Sequence, residues 1–197
     1  QIAHEGTIAH DCGKAISFAM NLLEKTGKRV MVNADSIEDI KKARKWGVDS
    51  VGLVRSENMV KSTKDNLDIF ARFISALFDG KDYAASTEDF KKSQARDFAK
   101  ILSYQDGRRT QIRLLDPPLH EMFVLSDIIN GHYSDSLVRM VSGKESPRGA
   151  QFLRWPEIYE TQIRALFQAY GVAVHETDKR PDLKIFIPYV DQPSQVG

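Results

Sequence analysis

Three arginines stand at or just past the ends of apolar runs, where a side chain leaves the core and meets a ligand. Arg55 closes Gly52-Leu53-Val54-Arg55-Ser56-Glu57-Asn58-Met59, Arg113 lies inside Arg109-Thr110-Gln111-Ile112-Arg113-Leu114-Leu115-Asp116-Pro117-Pro118-Leu119-His120-Glu121, and Arg148 sits in the loop Pro147-Arg148-Gly149. A guanidinium is planar, permanently charged and donates two parallel hydrogen bonds, which suits a phosphate or a carboxylate. Several converging on one oxyanion would bind a phosphorylated acid and stabilise a phosphoryl group in transfer. On residue type alone the plainer reading, a surface ion-pair partner, is favoured for each. That reading is weakest for Arg113, which is interior to an apolar strand, because an unpaired buried charge is costly. Asp116 either orients an arginine or starts the turn at the double proline, and Glu57 is placed to pair with Arg55. Asn33 and Asp35 close an earlier apolar run. They read as a turn and helix cap, or, for Asn33, as an amide pointing into a site.

The elements that carry these residues alternate between two periods. Ile16 to Leu23 has helical spacing with Gly27 as a stop, and Lys28 to Ala34 reads as a buried strand. Asp35-Ser36 begins a helix running through Ile40, Ala43 and Trp46 to Gly47, and Val48 to Val54 is a second strand. Residues 63 to 104 read as two helices broken at Gly80 and ended by Gly107. Arg109 to Leu115 is a third strand, and residues 122 to 143 are irregularly helical. Pro156 opens a helix to Tyr170 supported by Ile158, Ile163, Leu166 and Phe167, and Leu183 to Val190 is a fourth strand. Strands alternating with helices imply an α/β fold with a parallel sheet. A complete eight-stranded barrel takes about 200 to 250 residues, whereas this chain uses 197 for four strands. Periodicity alone leaves an open α/β sheet or half of a barrel.

Charge excludes some partners. There are 28 basic and 27 acidic residues, so nothing marks a nucleic-acid surface. The apolar stretch at Ala15 to Leu23 is too short for a membrane span, and it lacks the flanks of a signal peptide. The single cysteine, Cys12, rules out an internal disulfide and fits a reducing, cytoplasmic setting, with a plastid or other organelle left open. The chain begins at Gln1, so it is expected to be a processed or cut piece. The five histidines, at 4, 10, 120, 132 and 175, show no metal-ligand spacing, and no glycine-rich phosphate loop or nucleophile elbow occurs.

Several segments, in order, resemble one family. Val32-Asn33-Ala34-Asp35-Ser36-Ile37-Glu38-Asp39 is similar to "ANADTPED", and Val51 to Met59 to "IGLCRTEHM". The Arg113 segment is similar to "IRLLDPPLHEF", Trp155 to Ala165 to "YPEIYEMQARA", and Ile185 to Val190 to "IMIPLV". These are motifs of the pyruvate phosphate dikinases, in the barrel domain that binds phosphoenolpyruvate (PEP). The resemblance covers residues 28 to 190 and implies a partial (β/α)8 TIM barrel of about four parallel strands with helical insertions. Residues 1–27 would be an N-terminal linker helix and 28–197 the first half of the barrel. It implies that Arg55 and Arg113 hold the phosphoryl group as catalytic residues, with Asn33, Asp116 and Arg148 completing the PEP or pyruvate site.

In that family the barrel works with magnesium. A swivelling domain carries a phosphohistidine, and an ATP-grasp domain charges it from ATP. The chain departs from the pattern at residues 143 to 154, which replace "NPMLGHRGCRLGI" with a different, shorter loop. The "GGxTSHAA" phosphohistidine motif is absent, and neither His4 nor His10 supplies it. The later strands, which in the family bring the metal-binding carboxylates, a substrate asparagine and an acid cysteine, are not in the sequence, and Cys12 precedes the barrel. The metal ligands are therefore expected outside this chain, with weak or no turnover by the chain alone and a homodimer as its assembly. Two rivals stand beside this reading. One is a non-catalytic half-barrel used for binding or assembly. The other is a small anion-binding regulatory domain that takes PEP without metal.

Overall fold

The computed structural model describes residues 2–116, 118–124, 133–142, 149–190 and 192. In chain order it contains α1 (Ile2–Lys25), β1 (Met31–Asn33), α2 (Ile37–Arg44), β2 (Ser50–Arg55), α3 (Ser56–Val60), α4 (Lys64–Phe78), α5 (Ala84–Gln105), β3 (Thr110–Arg113), α6 (Leu119–Met122), α7 (Asp135–Ser142), a short 3-10 helix (Gly149–Arg154), α8 (Pro156–Thr177) and β4 (Leu183–Phe186). The four strands are parallel and lie side by side in sequence order, β1-β2-β3-β4. A doubly wound sheet reverses its strand order at a switch point. Sequential order without reversal is that of consecutive barrel strands, so the α/β fold is consistent with an arc of a (β/α) barrel. No helix of the described residues is long and apolar enough to cross a membrane.

Local chemistry sets the boundaries. Ser36 caps α2, its Oγ accepting the Asp39 N–H at 3.1 Å, with Glu38 and Asp39 facing the positive end of the helix dipole. Thr63 caps α4 in the same way, through the Asn66 N–H. Helix α2 ends at Arg44, short of the expected Gly47. The N–H of Val48 turns back to the Ala43 carbonyl while Gly47 takes a φ of +81°, so the apparent last turn is the helix's C-cap. Strand β4 likewise stops at Phe186 rather than Val190. Residues 122 to 143, expected as one irregular helical stretch, hold the end of α6 and all of α7, and 125–132 lie outside the described residues.

The helices bury one face of the sheet. Val51, Val54, Thr110 and Ile112 point into that core, and Leu114 continues it. The opposite face is open, with Met31, Asn33 and Phe186 exposed. Gly52 keeps this face low, since a Cβ there would stand 2.9 Å from the Met31 Cβ. Strict alternation from buried Val51 would carry Arg55 into the helix layer. The β2–β3 register shifts between Val51 and Val54, so that both valines are buried and Arg55 emerges on the open side. Re-aiming a side chain is what a strand irregularity of this kind does.

Helix α8 packs chiefly on α5. Its buried face is Ile158, Tyr159, Gln162, Ala165, Leu166, Ala169 and Ala173. The alanines allow close approach, and Phe167, expected to support the core, turns outward at 70% exposure. The insertion between β2 and β3 contributes an aromatic cluster in which Phe90 lies 5.1 Å from both Phe70 and Phe73, ring centre to ring centre.

Candidate phosphoryl-binding site

Strands β2 and β3 end together. Arg55 is the register partner of Arg113, so neighbouring strands present two guanidinium groups at their C-terminal ends on the open face. Cations on adjacent strands, about 4.8 Å apart, repel unless anions stand between them. The sequence supplies three.

Asp35 holds Arg55. Its Oδ2 accepts from Arg55 Nη2 at 2.5 Å, from Nε at 2.9 Å and from Asn58 Nδ2 at 2.6 Å, while Oδ1 takes the Arg55 backbone N–H at 2.7 Å. Burial alone pushes the Asp35 carboxyl up. The Arg55 and Asn58 hydrogen bonds and the Arg55 charge outweigh it and hold the group below the ordinary carboxylate range. An aspartate lowered in the folded chain is protonated first in the unfolded chain. Stability from this pairing is therefore complete above about pH 4 and lost as the pH falls through the folded value below it. Urea midpoints measured from neutral pH down into this acid range should fall more steeply for the wild type than for Asp35→Asn. Equal slopes would remove Asp35 from the account.

Arg113 is held by two carboxylates. Its Nη2 donates to Glu57 Oε1, and its Nη1 lies 3.3 Å from Asp116 Oδ2. This site is drier than its neighbour, with side chains 20% exposed for Arg113 and 5% for Glu57, against 44% for Arg55. Glu57 was expected on Arg55. Helix α3 begins at Ser56, directly after the strand, and carries Glu57 beneath the end of β3 instead. Arg55 still feels its charge as a lesser contribution to a guanidinium raised mainly by the Asp35 hydrogen bond. Of the two readings of Asp116, pairing with Arg113 is the one present.

Asn33 ends β1 in register with Leu53, exposed, and engages neither arginine. Arg148 lies outside the described residues, as do His132 and the side chains of His4, His10 and Cys12. Arg109 sits at the opposite end of β3, paired with Asp182 at 2.8 Å, and takes no part. Residue patterns alone did not identify Asp35, Asn58, Tyr159 or Gln162 as contributors. The Tyr159 hydroxyl donates to the Leu115 carbonyl, and Gln162 Oε1 accepts the Leu115 N–H. Burial, then the nearby Asp116, pushes the Tyr159 hydroxyl up, with Arg113 opposing, so it remains a neutral donor.

The arrangement can grip an oxyanion from two strand ends, with carboxylates fixing each cation. It does not fit a divalent metal. Among the described residues no group of three or more His, Cys, Asp or Glu side chains converges. Asp35, Glu57 and Asp116 are all committed to the arginines.

Comparison with known proteins gives the family. The chain is 30% identical over 185 residues to a chloroplastic pyruvate, phosphate dikinase of Mesembryanthemum crystallinum, 86% of this chain and 19% of that protein. It is 31% identical over 185 residues to pyruvate, phosphate dikinase 1, chloroplastic, of Arabidopsis thaliana, with the same two coverages. It is 29% identical over 200 residues to the pyruvate, phosphate dikinase of Rhizobium meliloti (strain 1021), 93% of this chain and 21% of that protein. The chain thus spans about a fifth of the length of the curated relatives it matches. The family described as PEP-utilising enzyme, PEP-binding domain, matches residues 11–197, and the chain belongs to it.

Proposed function

We propose that this chain binds phosphoenolpyruvate through Arg55 and Arg113, as the phosphoryl-gripping part of a pyruvate phosphate dikinase-like phosphotransferase. The observation that carries the reading is the in-register pairing of the two arginines on the open face of β2 and β3. The parent reaction would pass a phosphoryl group between a phosphohistidine on another domain and the enolate oxygen of pyruvate, with ATP as the ultimate donor. In the direction of PEP synthesis the P–N bond breaks as the P–O bond forms. The two guanidinium groups would neutralise the equatorial oxygens, where charge resides in a loose transition state. Asp35, Glu57 and Asp116 would keep the forks aimed, so little reorganisation is needed as charge shifts.

Calorimetric titration of the 197-residue chain, with a chelator and then with magnesium, tests this reading. PEP should bind with a Kd of about 0.1–1 mM, about 5 kcal/mol, and pyruvate, which lacks the phosphoryl group, at least about tenfold more weakly. Equal affinity for the two ligands would overturn the proposal. Magnesium should leave the PEP affinity unchanged, because Asp35, Glu57 and Asp116 are paired with the arginines, and a magnesium requirement would mean that these carboxylates are not held as described. A second reading rests on the exposed apolar residues at and after β4, namely Ile185, Phe186, Ile187, Tyr189 and Val190. An apolar sheet edge left exposed by the described residues favours an assembly surface. On that reading a folded chain would ignore PEP.

A further inference from the structure

We propose that Tyr159 and Gln162 of α8 are positioning residues for the arginine site, acting by gripping both backbone polar groups of Leu115. The inference rests on the PEP-binding reading for its ligand and on geometry for everything else. The strand ladder ends where the Leu114 N–H meets the Phe186 carbonyl at 3.0 Å. Leu115 has then left the sheet, yet it is fully buried, so its own N–H and carbonyl need partners in the interior. Helix α8 provides both from one face, because residues three apart are neighbours on a helix. The Tyr159 hydroxyl donates to the Leu115 carbonyl at 2.8 Å, and Gln162 Oε1 accepts its N–H at 3.0 Å.

Gln162 extends the grip to the other strand. Its Nε2 donates to Ser56 Oγ at 3.1 Å and to Gln94 Oε1 at 2.9 Å. Ser56 follows Arg55 directly, and Leu115 stands between Arg113 and Asp116. One fully buried amide therefore ties the start of α3, just past β2, to the segment after β3 and to α5. The orientation of Asp116 toward Arg113 depends on the Leu115 peptide it follows. Arg113 Nε and Asp116 Oδ1 are buried with no partner among the described residues, so this cluster does not hold its own geometry by saturation of its hydrogen bonds. A support from behind is what an oxyanion grip needs to stay aligned.

The test compares Tyr159→Phe and Gln162→Leu with Ile101→Val, a core change on α5 away from the site. Stability, PEP affinity and the 1H–15N resonances of Arg113 Nε–Hε and the Leu115 amide are measured for each in the 197-residue chain. Each clamp variant is expected to weaken PEP binding by about tenfold, the effect of one buried group left unpaired, and to shift the Arg113 Nε–Hε resonance. Ile101→Val should lower stability with affinity and that resonance unchanged. If Gln162→Leu does not fold, Tyr159→Phe decides alone. Clamp variants that lose stability while the Arg113 resonance stays in place would overturn the positioning role. If the wild type fails to bind PEP, the ligand reading falls, and the Arg113 resonance still decides the clamp.

Discussion

Arg113→Ala is expected to lower PEP affinity at least about a hundredfold and to destabilise the chain by about 3–5 kcal/mol. Both effects arise from one arrangement. Among the described residues Arg113 is the cation paired with both Glu57 and Asp116, with Arg55 acting on Glu57 only as a lesser charge, and both carboxylates are largely shielded from water. Removing the arginine leaves two buried anions close together, which is far worse than never having placed them there. On the proposed reading the site also loses one of its two guanidinium groups. Arg55→Ala should separate the two effects. Its side chain and Asp35 form a more solvated pair, so binding should fall with a stability change of about 1 kcal/mol or less. Urea denaturation and PEP titration of the two variants give the comparison. If Arg113→Ala binds PEP normally, the arginine grip is wrong in every version. If it unfolds no more readily than Arg55→Ala, the carboxylates are not the buried anions described.

What could be read in advance follows the range of each interaction. Helix caps and strand periods act within a few residues. A strand within Arg109 to Leu115, which spans Thr110–Arg113, the cap at Asp35-Ser36 and the break at Gly80 were accordingly visible in the sequence. The partition inside that cap was not. Aspartate and serine are both good cap formers, and only the structure shows Ser36 taking the Asp39 N–H while Asp35 reaches twenty residues on to Arg55. Glu57 misled because nearness in sequence favoured Arg55, whereas the abrupt start of α3 swings it toward the next strand. The exit of Arg55 on the open face depends on a register irregularity that no count of alternation reveals. On α8 the large apolar residues drew attention to Phe167. Ile158 and Leu166 are buried as expected, but the rest of the buried face is marked by small residues and by Gln162, whose amide is paired with the start of α3, the segment after β3 and α5. A polar residue in the stripe of a buried helix was the available signal.

Phe90→Ala is the change expected to cost most in the core, about 3–5 kcal/mol, a large share of the roughly 5–15 kcal/mol that holds a domain folded. Phe90 is 1% exposed and touches the rings of Phe70 and Phe73, while Phe70 stacks on Phe123 just beyond β3. The cluster binds α4 to α5 and both to the segment leaving the arginine strand, so truncation opens a cavity that three other rings cannot close without losing their own contacts. Gln94 stands four residues on along the same buried face of α5 and receives the Gln162 amide. The insertion between β2 and β3 is thus the platform beneath the site, and its loss should act on stability rather than directly on the ligand. Phe90→Ala, studied at a temperature where it remains folded, should bind PEP within about threefold of wild type, since no group facing the ligand is changed. Phe167→Ala removes the same side chain from a position 70% exposed and should change stability by about 0.5 kcal/mol or less. Urea midpoints at unchanged m-value measure both. Equal costs for the two phenylalanines would mean that the helical insertion is not the core of this fold. A PEP affinity that collapses in folded Phe90→Ala would mean that α5 acts on the arginines more directly than its contacts show.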